Sequence, residues 1–457
     1  MVPTHDEVVY ASQITRDVPA SMFSAPRARG MSLLLAPVAF FTPSFFPIRV
    51  YLMLLAGALM YVAFRPWVKV FDRADGRYAY VPALAAGCFA TLWFTVLYGS
   101  LGYPNLWLTF ALVAGAGYFY RVATEPELTW RPVAGLAAAF AAAALIRPTD
   151  ALAVAAPLLL APLVVRGWRR VPSITSALAG LAIGWGAWIA EAYARFDGPL
   201  QRLREGGEIN HAGLVFTLPE HIDALDGPAL LCIPHKLCAG VEPVATLWWL
   251  AMPVLVAVGL LAVARRSGWL PIGVVLAASA VAVATPYIVL IDYAAARFLL
   301  PSYGLLSIPA AAGILWLVGW RTQWLRTVAI TLVAAAFLGH IVIQQSILSE
   351  ANDRLLSTQR EIGAQAEFLR TEVGIQPPCV FWGGLQSPYL LGCRSRWLRN
   401  ELPRADDPDM IAALDRGEVI VVRLGARTKP PAFMADWQRI ALPQTDRAVV
   451  YIHRPGP

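Results

Sequence analysis

The chain has 457 residues and a formal net charge of +7, yet only 15% of its residues are charged and 58% are hydrophobic. A soluble domain is nearer half apolar and a quarter charged, so an ordinary soluble enzyme is excluded. The surplus of Lys and Arg is not read as affinity for nucleic acid, because in a membrane protein it marks cytoplasmic loops.

Residues 1–30 lack the basic-then-apolar pattern of a secretion signal. They open with His5-Asp6-Glu7-Val8-Val9-Tyr10-Ala11, in which two carboxylates stand together. Residues 31–46 are apolar but broken by Pro37 and Pro43, so an interfacial or re-entrant segment is expected there. Apolar runs long enough to cross a bilayer follow near 48–66, 79–98, 104–120, 132–146, 150–165, 174–194, 244–264, 269–291, 298–319 and 324–345, about ten in all.

The short loops between these runs alternate in charge. One set carries Arg65, Lys69, Arg73 and Arg77, then Arg121 and Arg131, then Arg166, Arg169 and Arg170, then Arg265 and Arg266, then Arg321 and Arg326. The other set is nearly free of cations, with Arg147 and Arg297 as its exceptions. The basic set is assigned to the cytoplasm. Alternation then puts a first outer loop (5–46), the turn 147–150, a long loop (195–243), the turn 292–297 and the tail on the far side. The expected fold is an all-α polytopic membrane protein, with a membrane domain over 1–346 and a small α/β extracytoplasmic domain over 347–457.

In that tail, residues 347–373 have helical apolar spacing, and Pro377-Pro378 ends the run. Strands are expected at 379–382, 419–422 and 448–452. A helix over 407–416 is expected between the first and second of these strands, capped by Asp406 or Asp407. Cys232 with Cys238, and Cys379 with Cys393, form two close pairs outside the apolar runs and are candidate disulfides. No metal site is assigned, since His235 lies between Cys232 and Cys238 but a fourth ligand is missing.

Ionisable groups at the edge of hydrocarbon are costly and are kept where they line a polar cavity or pair with one another. On the far side these are Asp6 and Glu7, Arg147 and Asp150 framing a tight turn, Glu191, His211, and Asp292 with Tyr293 and Arg297. Together they point to a cavity opening outward. Plainer readings stand beside this one: an ion pair of Arg147 with Asp150, a pair of Glu191 with Arg195 one turn on, and an Arg297 that reaches lipid headgroups. In the tail, Trp382, Tyr389 and Trp397 are candidates for stacking on glycan or for the domain core.

The order of these motifs resembles the GT-C class of glycosyltransferases, nearest the protein O-mannosyltransferase and aminoarabinose-transferase branch. The residues that carry the resemblance are His5-Asp6-Glu7-Val8-Val9-Tyr10-Ala11, the stretch 26–37, Ala144-Leu145-Ile146-Arg147-Pro148-Thr149-Asp150, and Arg297-Phe298-Leu299-Leu300-Pro301. The resemblance covers most of 5–345. It implies a polyprenyl-phosphate-sugar donor, transfer to an acceptor hydroxyl on the extracytoplasmic face of the plasma membrane, and inversion at the sugar. Asp6 would be the general base and Glu7 its partner. Arg297, then Arg147, would hold the donor phosphate. Tyr10, Asp150, Glu191, His211, Asp292 and Tyr293 would line the acceptor side of the cavity. No cofactor is implied, and a divalent metal stays open. The acceptor is a glycan, such as that of a cell wall, a lipid or a protein. In the resembling enzymes a span precedes the Asp-Glu loop, so an upstream apolar span of about twenty residues is expected. The rival readings are a lipid-linked glycan transporter or flippase, and a non-catalytic scaffold that displays the outer domain.

Overall fold

The computed structural model describes residues 1–72, 76–227, 230–233, 240–264, 269–319, 322–396, 398, 402–445 and 447–455. It is mostly helical. In chain order the helices are α1 (His5–Ala11), α2 (Gly30–Ala39), α3 (Phe45–Phe71), α4 (Val81–Ala90), α5 (Trp93–Gly99), α6 (Pro104–Thr124), α7 (Trp130–Ile146), α8 (Pro148–Val164), α9 (Arg170–Arg195), α10 (Pro199–Ile209), α11 (Leu218–Asp223), α12 (Pro243–Ala264), α13 (Leu270–Val289), α14 (Leu300–Leu317) and α15 (Gln323–Thr371). The tail adds strands β1 (Cys379–Trp382), β2 (Arg394–Arg396), β3 (Val419–Gly425), β4 (Gln438–Ala441) and β5 (Ala448–His453). It also adds helices α16 (Gln386–Leu391) and α17 (Pro408–Asp415).

Among the described residues, seven helices are long and apolar enough to cross a membrane. These are α3, α6, α9, α12, α13, α14 with the turn before it, and α15. The protein is a multi-pass membrane protein. The run near 79–98, expected as one span, is instead α4 and α5 bent by 79°. The break at Thr91 and Leu92 is stabilised from outside: Gln344 Oε1 accepts the freed Trp93 N–H at 2.9 Å, and the Trp93 indole donates to Leu225 O. Such side-chain rescue is what lets a helix break inside apolar surroundings. The runs near 132–146 and 150–165 are 17-residue helices, α7 and α8, joined at the tight turn.

The residues cluster into two compact units: 1–24, 32–52 and 353–457 in one, and 25–31 and 53–352 in the other. The sequence division at 346/347 therefore does not coincide with the compact units, because the first residues group with the tail.

In the larger unit α7 packs against α6 and α9, α12 against α14, and α13 against α8 and α14. A Cβ at Gly259 of α12 would lie 1.9 Å from Pro309 O, so only glycine permits the approach of α12 to α14. Loops of the basic set meet one another: the Phe71 and Trp269 rings touch at a tilt, and the Arg169 guanidinium donates to the carbonyls of Val122, Glu125 and Pro126. Loops of the other set meet at the far end of the helices, around Tyr98, Arg147, Tyr287 and Arg297. This two-ended sorting is what the charge alternation requires. A further node ties α9 to α10. Arg202 is fully buried between the rings of Trp188 and Phe196, and with Arg29 it grips both oxygens of Glu191, at 2.9 and 2.5 Å. Glu191 thus pairs with Arg202 and Arg29 rather than with Arg195.

In the smaller unit the five strands run in the order β2-β1-β3-β5-β4. β1 is parallel to β2 and β3, with Phe381 opposite Ser395 and Val421, while β5 runs antiparallel to β3 and β4. One face of the sheet packs Phe381, Val421 and Ile452 with Leu369 of α15, and the other packs Trp382, Val422 and Tyr451 with Met410 of α17. Asp407 caps α17 by accepting the Asp409 N–H. Cys379 and Cys393 are joined in a disulfide. Trp382 and Tyr389, the glycan-stacking candidates, are buried: Trp382 lies in the core and the Tyr389 hydroxyl donates to Pro43 O. Trp397 lies outside the described residues.

The first segment of this unit is ordered. In α1, Glu7 is completely buried. Its carboxylate accepts the Thr4 N–H at 2.8 Å and two bonds from Arg49, at 2.7 and 3.2 Å, while Arg49 also reaches Gln359 and Val2 O. Removing one partner of such a pair strands a buried charge, which costs about 3–5 kcal/mol. Arg49→Met is expected to lower the thermal unfolding midpoint of the purified protein sharply, and adding Glu7→Gln is expected to restore much of the loss. A double variant no more stable than Arg49→Met alone would count against the pair as a mutual neutralisation.

Candidate functional site

In the larger unit the candidate residues converge near the turn 147–150. Pro148 at the first position of α8 forces an extended Arg147, which ends α7 and begins α8 in one residue. Asp150 then falls in the first turn of α8, where the helix dipole favours a carboxylate. The Asp150 carboxylate is buried. It accepts from Arg147 Nε at 3.1 Å and from the Tyr287 hydroxyl at 2.5 Å.

Tyr287 carries the arrangement onward. The Arg147 guanidinium lies 5.5 Å from its ring centre, and the ring also stacks on Phe298 at 4.9 Å. Phe298 sits in the short 3₁₀ turn Ala296–Leu299 that precedes α14. The Arg297 guanidinium in that turn lies among the rings of Tyr103 (4.7 Å), Phe298 (5.1 Å) and Tyr98 (5.8 Å), and it donates to Leu230 O at 3.1 Å. Arg147 and Arg297, separate in sequence, thus lie against one continuous aromatic stack. Guanidinium planes held on aromatic faces keep their forked donors oriented, the geometry that suits phosphate.

The long loop is stitched to this stack. Backbone bonds run from Gly213, Val215 and Thr217 to Leu290, Val289 and Ile288, and Cys232 exchanges two with Ala294 at 2.7 and 2.8 Å. Cys232 is disulfide-bonded. Cys238 lies outside the described residues. His211 faces Asp292 at 3.9 Å, both well exposed, and the Tyr293 hydroxyl donates to Asn210 at 3.4 Å. His221 is buried beside the Tyr287 carbonyl and the Phe298 ring.

The sequence-derived candidates therefore divide. Arg147, Asp150, Asp292, Tyr293, His211 and Arg297 gather around the stack and the loop that crosses it. Glu191 belongs to the separate Arg29 and Arg202 node. Asp6, Glu7 and Tyr10 belong to the smaller unit, where Asp6 is half-buried on α1, Glu7 holds Arg49, and Tyr10 is buried against Phe23. Tyr287, Tyr98 and Tyr103 are additions that sequence reasoning missed. A tyrosine one turn before the end of an apolar run, as Tyr287 is, signals a hydroxyl in need of a partner.

An apolar cavity of about 560 Å³ opens between α4, α12, α14 and α15, lined by Phe89, Leu255, Tyr303, Ile314 and Phe337 among others. Among the described residues no three His, Cys, Asp or Glu side chains gather as a metal site would need.

With this geometry in hand, comparison with solved structures decides the architecture. The chain superposes on ArnT from Cupriavidus metallidurans bound to undecaprenyl phosphate with a TM-score of 0.64, covering 99% of this chain and 94% of that one at 12% identity. The fold is the GT-C fold. The apo form of the same ArnT matches equally, with a TM-score of 0.64 over 100% of this chain. The oligosaccharyltransferase AglB from Archaeoglobus fulgidus, in complex with an inhibitory peptide and a dolichol-phosphate, matches with a TM-score of 0.50 at 12% identity, over 91% of this chain and 64% of its own. No protein-family model and no curated protein matches the sequence.

Burial pushes the His221 imidazole down to about 4 from 6.5, and the bond to the Tyr287 carbonyl only partly opposes this. A depressed folded value means that the unfolded chain takes up the proton first. The associated stability is complete above pH 6.5 and is lost as the pH falls toward 4, amounting to about 3 kcal/mol. His221→Gln is expected to flatten the fall in thermal midpoint between pH 7 and pH 4. Identical pH profiles for variant and parent would overturn the neutral, buried assignment.

Proposed function

We propose that the protein is a membrane glycosyltransferase that moves a sugar from a polyprenyl-phosphate donor to an acceptor hydroxyl, with inversion, at the extracytoplasmic face of the plasma membrane. The observation that carries this reading is the pair of arginines, Arg147 and Arg297, held on one aromatic stack at the cation-poor end of a GT-C fold. The structural neighbours were captured with undecaprenyl phosphate and with a dolichol-phosphate, lipids of the same chemistry.

The chemistry follows from charge. As the bond between the anomeric carbon and the phosphate oxygen breaks, negative charge grows on the phosphate and positive character on the sugar ring. Arg297 and Arg147 are assigned to the phosphate, where preorganised cations in a water-poor setting act most strongly. The acceptor oxygen attacks from the opposite face, and its proton passes to a carboxylate, assigned to Asp6. Glu7, committed to Arg49, holds α1 in place. Asp150 keeps Arg147 and Tyr287 in register. The apolar cavity is assigned to lipid hydrocarbon. The loop that carries His211 and the turn with Asp292 and Tyr293 are assigned to the acceptor, whether glycan, lipid or protein. Charge neutralisation rests here on arginine, so turnover is expected to survive chelation of divalent metals.

The test is sugar transfer by purified variants. Arg297→Ala is expected to lower kcat/KM by about a hundredfold or more, with Arg297→Lys in between, and Asp6→Asn to abolish transfer while leaving the thermal midpoint near that of the parent. Full turnover by Asp6→Asn would remove Asp6 as the base. Full turnover by Arg297→Ala would remove the phosphate assignment.

A further inference from the structure

The smaller unit holds a cation that the proposed reaction does not use. Arg423 lies at the carboxyl end of β3, on the sheet face that packs Phe381 and Val421. It is half-buried, and its guanidinium forms no hydrogen bond or ion pair with a described residue. Burial works against its charge, and the Glu361 carboxylate on α15 offsets this only in part. Glu361 itself accepts from Gln365 at 3.0 Å. Even partial burial of a guanidinium without a bonded partner costs free energy. The other arginine at this edge, Arg396 at the end of β2, is bonded to Asp409.

The position of Arg423 has a topological meaning. After β1 the chain turns through α16 onto one face of the sheet, and after β3 it turns onto the opposite face, where Phe433 and Met434 pack. The crevice outside the carboxyl ends of β1 and β3 is therefore the switch point of this small parallel sheet, the place where open α/β sheets bind ligands. The loop that leaves β1 there is Gly383-Gly384, with φ of +90° and +153°. A Cβ at Gly383 would sit 2.5 Å from the Arg423 carbonyl, and one at Gly384 would sit 4.0 Å from the Arg423 guanidinium. The turn keeps the backbone close to the cation and adds no side chain of its own over it.

We propose that Arg423 and the Gly383-Gly384 turn form a binding site for an oxyanion, the carboxylate or phosphate group of an acidic sugar. A guanidinium fork beside a glycine turn matches two coplanar acceptor oxygens. Glu361 opposes the incoming negative charge and sets the affinity low. The site is independent of the transferase reading, since it belongs wholly to the smaller unit.

Calorimetric titration of the full-length purified protein with D-glucuronate, with inorganic phosphate and with D-glucose tests it. Saturable binding of glucuronate or phosphate, and none of glucose, is expected; which anion binds tells carboxylate from phosphate. Arg423→Gln is expected to weaken that binding by roughly tenfold or more. Glu361→Gln is expected to tighten it, a gain that a misfolded variant cannot produce. Arg297→Ala is expected to leave it unchanged. Absence of oxyanion binding to the parent protein, binding unaltered by Arg423→Gln, or binding lost in Arg297→Ala would each overturn the proposal.

Discussion

The Asp150 carboxylate is the interaction on which the larger unit's site depends. It stands at the start of α8, accepts from Arg147 one turn back and from Tyr287 on α13, and so fixes a helix turn and a neighbouring helix with one buried charge. Tyr287 fixed in this way presents a ring on which Phe298 stacks, and Phe298 in turn helps to hold Arg297. Both arginines are positioned by aromatic faces, Arg147 also by the Asp150 carboxylate and Arg297 by the Leu230 carbonyl, rather than by each other. In surroundings of low dielectric this matters, because two unscreened cations would repel strongly while a paired carboxylate and polarisable rings lower the cost of holding them.

The same economy governs the rest of the chain. With few charges available, nearly every buried one is engaged: Glu7 with Arg49, and Glu191 with Arg29 and Arg202. Each pair ties together segments that are remote in sequence and neutralises a charge that the apolar surroundings cannot solvate. The broken span obeys the same rule for backbone groups, since the Trp93 N–H released between α4 and α5 is taken up by Gln344. Among the described residues Arg423, half-buried at the carboxyl edge of a parallel sheet, departs from this pattern.

Much of the fold was legible in the sequence because hydrophobic length and charge alternation act locally. The apolar runs, the sorting of loops into two ends, the strands β1, β3 and β5, and the cap at Asp407 follow from residues within a few positions of one another. What escaped is what depends on distant partners. Local spacing pairs Glu191 with Arg195, one turn on, whereas its partners Arg29 and Arg202 are set by tertiary packing. The run near 79–98 carries no proline at its break, so the bend is visible only once Gln344 is in place. β2 and β4 are short, and their residues, Arg394-Ser395-Arg396 and the exposed Gln438-Arg439-Ile440-Ala441, lack an apolar pattern. Of the site, the sequence marked Arg147, Asp150 and Arg297 as costly charges at an apolar edge, but Tyr287 and the aromatic stack that joins them are a product of packing.

The central claim is that this chain transfers sugar from a lipid phosphate. Its most direct measurement is incubation of the purified protein in lipid with a panel of radiolabelled polyprenyl-phosphate sugars, followed by analysis of the released lipid and of the anomeric configuration of the product. The account predicts consumption of at least one donor, with free polyprenyl phosphate and an inverted glycoside as products. Donors that remain intact across the panel in the presence of membrane and cell-wall acceptors, or a product of retained configuration, would contradict it.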